Sequence, residues 1–193
     1  MTQLTLVLIS GAPGTGKTYL ARWLAEELSV VVLEKDAIKE TLFDAVGEGD
    51  SEWSKRLGGA TFALLKMLVE SHLKAGQSVV VESTFQPEFD SPWLHCMEER
   101  YEIDILELHC HTDADTALSR YVQRIDSDDR HAGHLAGMSR EIHVEELRER
   151  FGSYGPLAAG DELIRIDTTD FSMVNYAAIV ERIRAAVDNG GGS

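Results

Sequence analysis

Apolar residues fall along this chain in two kinds of pattern. Short apolar-rich runs at residues 4–9, 30–33, 78–81, 103–108 and 163–166 predict strands, the first of them continuous and of the kind buried on both faces of a parallel sheet. Between them, apolar positions recur three or four apart over 17–28, 36–46, 51–75, 92–100, 113–125, 139–151 and 173–187, which predicts helices. In the 51–75 stretch Trp53, Leu57, Ala60, Leu64 and Leu68 keep step, Gly76 stands at its end, and Gly58 and Gly59 are places where it bends or divides. The polar runs GEGD (47–50), ESTFQPEFD (82–90) and DSDDRHAGHLAGM (126–138) read as loops. Repeated alternation of strand and helix predicts an α/β fold, with about five mostly parallel strands and helices on both faces. Residues 1–188 are expected to form one domain and 189–193 a flexible tail.

Composition narrows the classes of partner. The 193 residues, 44% hydrophobic and 26% charged, suffice for one core. Thirty-three acidic against eighteen basic residues give a net charge of −15, which repels polyanions and makes nucleic acid an unfavourable partner unless a local basic patch opposes it. Cys96 and Cys110 are not in a metal-finger spacing, no basic leader opens the chain, and no apolar stretch spans a bilayer. A soluble, reduced, cytoplasmic protein is expected.

The chemistry begins directly after the first apolar run. Gly11, Ala12, Pro13, Gly14, Thr15, Gly16, Lys17 and Thr18 fit G-x-x-x-x-G-K-[ST], between a predicted strand and a predicted helix. Glycines let backbone N–H groups turn around phosphate oxygens, and the helix N-terminus adds positive potential. Lys17 reaches the outer phosphates and Thr18 offers its hydroxyl to Mg²⁺, with Tyr19 following among the nucleotide contacts. The fold expected is therefore a P-loop NTPase fold, with ATP and Mg²⁺ as its ligands.

Four further places add to this. Asp36, just past the second strand, can accept the proton of an attacking hydroxyl or cap the following helix. Lys39, on the same helical face, can hold an anionic part of a substrate or lie solvated on the surface. Glu82 closes the third strand, where a carboxylate can orient Mg²⁺ through water, and Ser83 and Thr84 follow it into the crevice as substrate contacts. Arg120 and Arg124 share one helix face before a polar flap that includes Arg130, with the lid spanning about 120–140. They can stabilise a transferring phosphoryl group or pair with Asp126, Asp128 and Asp129. His109 and His111 share a strand face, but two ligands do not make a zinc site. His131 and His134 can read phosphate or substrate, or serve as polar loop residues.

The order of phosphate loop, LEKDAIKETL, VVVESTF and an R-x-x-x-R helix before a polar lid resembles the P-loop kinases grouped with polynucleotide 5′-hydroxyl kinase, zeta toxins and chloramphenicol phosphotransferase. The resemblance runs from about residue 4 to about residue 150. It implies that Asp36 is the general base on the acceptor hydroxyl and that Arg124, with Arg120 nearby, stabilises the transferring phosphate. Where polynucleotide kinases carry an arginine three residues after the base, this chain has Lys39, and its third strand ends in Glu82-Ser83-Thr84. The expected activity is an ATP-dependent phosphotransfer to a hydroxyl of a small molecule such as a nucleoside, sugar or antibiotic. A polynucleotide 5′-hydroxyl kinase and a nucleotide-dependent regulatory ATPase module are the alternatives. Against a guanine-nucleotide switch, the chain contains no N-K-x-D sequence.

Overall fold

A computed structural model describes residues 3–28, 30–127, 131–135, 139–157, 159–160 and 162–188. Its centre is β1 (Thr5–Ser10), whose six residues are all buried. The run is continuous because both faces are covered. Leu6 and Leu8 join one core with Leu65, Val69, Val81 and Leu94, while Val7 and Ile9 join another with Leu20, Leu24, Leu108 and Ile183. The remaining strands are β2 (Val32–Glu34), β3 (Val79–Glu82), β4 (Asp104–His111) and β5 (Glu162–Asp167). All neighbours pair in parallel in the order β2-β3-β1-β4-β5. The register sets Ile9 beside Glu82, and Glu82 beside Glu34, so the carboxyl ends of three strands meet at one edge of the sheet.

The described residues form seven α-helices, α1 (Lys17–Leu28), α2 (Lys35–Val46), α3 (Ser51–Lys74), α4 (Pro87–Tyr101), α5 (Ala114–Asp126), α6 (Arg140–Arg150) and α7 (Tyr176–Asp188), of which α6 packs against α5 through Leu147, Leu118 and Tyr121. No helix of the described residues is long and apolar enough to cross a membrane.

Several elements differ from the sequence expectation: β2 lies at Val32–Glu34, β4 runs on to His111, α7 begins at Tyr176, and three further differences concern α2, α3 and α4. Neither Gly58 nor Gly59 divides α3, which runs unbroken for 24 residues with Leu57, Thr61, Leu65, Val69 and Leu73 buried in step. A Cβ at either glycine would meet nothing within 4 Å. They lie on the open side, and a propensity cost of about 1 kcal/mol each is small against the buried stripe. Helix α4 begins at Pro87 and not near 92, because Pro87 suits the first helical position and Asp90 Oδ2 accepts from Gln86 N at 2.8 Å. Helix α2 begins at Lys35, with no loop after β2. Asp36 therefore sits in the first turn, while the N-cap position belongs to Glu34, whose side chain makes no capping bond.

One buried polar cluster ties the sheet to the C-terminal part of the chain. Glu107, 1% exposed on β4, accepts from Ser10 Oγ at 2.5 Å and from Leu157 N at 3.0 Å, and Ser10 Oγ also lies 2.9 Å from His109 Nδ1. His109 is thus engaged beneath the phosphate loop, and no group of three or more His, Cys, Asp or Glu among the described residues could hold a metal.

Candidate active site

Residues 11–16 form a turn pressed between β4 and α5. Gly14 has φ +82°, and a Cβ there would stand 2.1 Å from the carbonyl oxygen of Ala117. At Gly16, with φ +84°, it would stand 2.3 Å from the Phe171 ring. Only glycine meets both the backbone angle and the space. Gly14→Ala is expected to cost about 1–3 kcal/mol of stability through strain and to weaken nucleotide binding, as denaturant unfolding and ATP titration would measure. From the far end of the chain, the Thr168 hydroxyl reaches the carbonyl oxygens of Thr15 at 2.8 Å and His111 at 3.0 Å, fastening the turn from below.

Lys17 opens α1 and is buried. Its Nζ donates to Ala12 O at 2.9 Å. Desolvation holds its ammonium below the ordinary lysine value, while the carboxyls of Glu82 and Asp36 counteract that. Thr18 is half-buried and lines the cleft, and exposed Tyr19 rests against Phe171 with ring centroids 5.0 Å apart.

Glu82 lies at the end of β3 with 4% of its surface exposed. Burial pushes its carboxyl up to about 7, Lys17 pulls the other way, and Asp36 and Glu34 add to the rise. Between the ordinary value of 4.5 and about 7 the folded protein keeps a proton that the unfolded chain has lost. The stability contributed by protonated Glu82 is therefore fully present below 4.5 and lost as pH rises through 7. Glu82→Gln is expected to remove that fall. In chelator and without nucleotide, the variant should gain on the wild type by about 3 kcal/mol between pH 4.5 and pH 8, measured by urea unfolding. A difference independent of pH would contradict this.

Next to Glu82, Ser83 Oγ is buried with no hydrogen-bond partner among the described residues. An orphaned buried hydroxyl beside a carboxylate deprived of water by burial, with the Thr18 hydroxyl in the same cleft, fits a hydrated Mg²⁺ brought by phosphates. Such a cation needs few protein ligands of its own.

These groups share one open cleft of about 1020 Å³. Its walls include Lys17 and Thr18, Asp36 and Glu40 of α2, Ser83 and Thr84 after β3, and Arg120, Gln123 and Arg124 of α5. Asp36 is partly exposed and its Oδ1 lies 3.0 Å from Lys35 Nζ. Arg120 donates to Thr169 O at 3.0 Å and lies over Phe171 at 4.7 Å, leaving Nη1 buried without a hydrogen-bond partner among the described residues. Arg124 is half-buried and forms no ion pair with a described residue. Asp126 pairs with Arg140 at 3.1 Å instead. Arg130, Asp128 and Asp129 lie outside the described residues.

Of the expected site residues, Gly11, Ala12 and Thr15 are buried in the turn and do not line the cleft, and Lys39 is turned away from it. Its Nζ turns to Ser54 Oγ at 3.0 Å and over the Phe43 ring, so α3 holds it, and Lys35 takes the place beside Asp36. The sequence reading missed Lys35, Glu40, Thr168 and Phe171. Glu40 had a signal in its i+4 spacing from Asp36, whereas Thr168 and Phe171 reach the site only through tertiary packing. A smaller cavity of about 250 Å³ lies at the amino ends of the strands, bordered by Gln3, Thr5, Asp104 and the Glu162–Arg182 pair.

The model of the AAA domain family matches residues 6–144. A protein of Chloroflexus aurantiacus j-10-fl provisionally assigned as a kinase is 32% identical, with a TM-score of 0.85, over 96% of this chain and 99% of its own. A sugar kinase from Janibacter sp. HTCC2649 is 17% identical over 96% of this chain and 95% of its own, with a TM-score of 0.56. The shikimate kinase of Acinetobacter baumannii, in complex with shikimate, is 18% identical over 99% and 97%, with a TM-score of 0.54. These last two share the fold. No curated protein shows a match to the chain. With the family model spanning most of the sequence and one relative aligned along nearly all of it, the protein belongs to the AAA domain family and is a P-loop kinase by fold.

Proposed function

We propose that the protein is an ATP-dependent phosphotransferase that moves the γ-phosphate to a hydroxyl of a small molecule, with residues 1–188 acting as one kinase domain and 120–140 as its lid. The observation that carries this reading is the shared cleft, in which the phosphate loop, a carboxylate on α2 and the α5 arginines line one space. A nucleotide switch or an assembly ATPase has no need of a carboxylate beside an acceptor-sized opening. The relatives described as kinases of sugars and shikimate support a small acceptor, and the charge of −15 weighs against a polymeric one.

In this reading the backbone of 11–16 and Lys17 hold the β- and γ-phosphates. Bound with the nucleotide, Mg²⁺ would neutralise charge on those oxygens, held by Thr18 and, through water, by Glu82. The Asp36 carboxylate takes the proton of the acceptor hydroxyl. The acceptor oxygen forms a bond to the γ-phosphorus, the bond from that phosphorus to the β–γ bridging oxygen breaks, and the electron pair leaves with ADP. Arg124 offsets charge on the equatorial oxygens, and Arg120, seated on Phe171 and Thr169, positions the nucleotide. Closing of the lid over the cleft excludes water that would otherwise take the phosphate.

The test is mass spectrometry of a metabolite pool incubated with the protein and Mg-ATP. Appearance of a compound heavier by one phosphate, with matching ADP, supports the reading. ATP turnover stimulated only by a protein partner would favour a regulatory module.

A further inference from the structure

Glu40 lies one helical turn beyond Asp36 on the same face of α2 and lines the same cleft. Its Oε1 is 3.0 Å from Nε2 of His134, which is 7% exposed and belongs to the short 3-10 turn Ala132–His134 beyond α5. That turn is fastened to α2 by more than one bond. His131 Nε2 lies 3.2 Å from Asp44 Oδ1, the His131 ring stacks on Phe43 at 5.3 Å, and a Cβ at Gly133 would stand 2.6 Å from the Phe43 ring. The Glu40 carboxylate is thus held at one oxygen by a part of the lid, while Oε2 makes no hydrogen bond to any described residue. The same cleft is lined by the neutral groups Ser83, whose buried hydroxyl has no hydrogen-bond partner among the described residues, Thr84, Gln123 and Ser127. It is also lined by the cations Lys17, Arg22, Arg120 and Arg124, which the phosphotransferase reading assigns to the nucleotide side except for Arg22, paired with Glu34.

We propose, building on the phosphotransferase reading, that Glu40 determines acceptor specificity and that the acceptor is an uncharged polyhydroxylated molecule of the sugar or polyol class. One hydroxyl is presented to Asp36 and reacts. A second donates to Glu40 Oε2 and stays intact. A carboxylate can only accept hydrogen bonds, so two of them one turn apart, with Cβ atoms about 5–6 Å from each other, select an acceptor with two donors at matching separation. A carboxylate or phosphate on the acceptor would meet Asp36 and Glu40 as like charges. The lysines of α2 are engaged, Lys35 by Asp36 and Lys39 by Ser54. His134 is a positioning residue, acting through Glu40.

The test uses the intact protein with Mg-ATP and three matched sets of probes: neutral aldoses, alditols and cyclitols of five or six carbons, the corresponding sugar acids, and the corresponding monophosphates. Transfer to at least one neutral member is expected, with the highest kcat/KM in that set. For that acceptor, Glu40→Gln should raise KM by about 10-fold or more, as loss of a hydrogen bond to a charged group implies, with kcat and the KM for ATP within about twofold. His134→Gln should raise the same KM by a smaller factor, which keeps the proposal testable if the Glu40 variant does not fold. Preference for an acid or a monophosphate, or an acceptor KM unmoved by either variant, overturns the proposal and leaves the phosphotransferase reading standing. Transfer to no member of any set overturns the proposal, and the phosphotransferase reading falls with it only if the metabolite pool also yields no phosphorylated product.

Discussion

Asparagine at position 36 is expected to leave ATP bound and to lower phosphotransfer by about 10²- to 10⁴-fold, the range lost with a positioned general base. The substitution keeps the shape of the side chain and removes its capacity to take a proton. Its effect on folding should be small, because Asp36 neither occupies the N-cap of α2 nor lies fully buried, and its pairing with Lys35 is partly exposed. ATP affinity by titration calorimetry, unfolding by denaturant, and product formation measured together separate the possibilities. A stable, ATP-binding variant with unchanged turnover would remove Asp36 from the chemistry.

The second large effect is expected at Arg124. Alanine there should lower kcat by about 10³-fold or more, in the range of arginines that stabilise a transferring phosphoryl group. Arg120 should behave differently. It is anchored to the Thr169 carbonyl and the Phe171 ring, so Arg120→Ala should raise the KM for ATP more than it lowers kcat. Lysine at 124 should recover little, since a single ammonium does not reproduce the planar fork of donors. Steady-state kinetics with ATP and acceptor varied separately would check both. Equal losses at the two positions would contradict the division of roles.

How far the sequence carried these conclusions depended on how local each cause was. The first strand, the glycine turn and α1 were legible together, because φ angles, apolar run and helix start are all written within residues 4–28, and α1 spans the range its pattern predicts. Elements held by tertiary contacts were less so. The glycine pair 58–59 looked like a break because propensity is a local signal, whereas α3 is kept whole by the stripe it buries against the sheet. The start of α4 was obscured by its polar first turn, although Pro87 and Asp90 are a helix-start signature when read together.

The same distinction runs through the site. Residues at strand ends, Asp36, Glu82, Ser83 and Thr84, could be located from the strands that carry them, and all of them line the cleft. Lys39 shares a helix with Asp36, but which of Lys35 and Lys39 faces the cleft depends on where α2 begins and on α3 lying against its other side. Thr168 reaches Thr15 across 153 positions, and His134 reaches Glu40 across 94. No spacing rule in a single sequence joins residues so distant.

The most direct measurement of the central claim follows the γ-phosphate itself. With ATP labelled at the γ-phosphorus and neutral sugars and polyols as acceptors, the label is predicted to appear in an organic phosphate monoester, one for each ADP formed. Label recovered wholly as inorganic phosphate, at a rate unaffected by any hydroxyl compound, would contradict it.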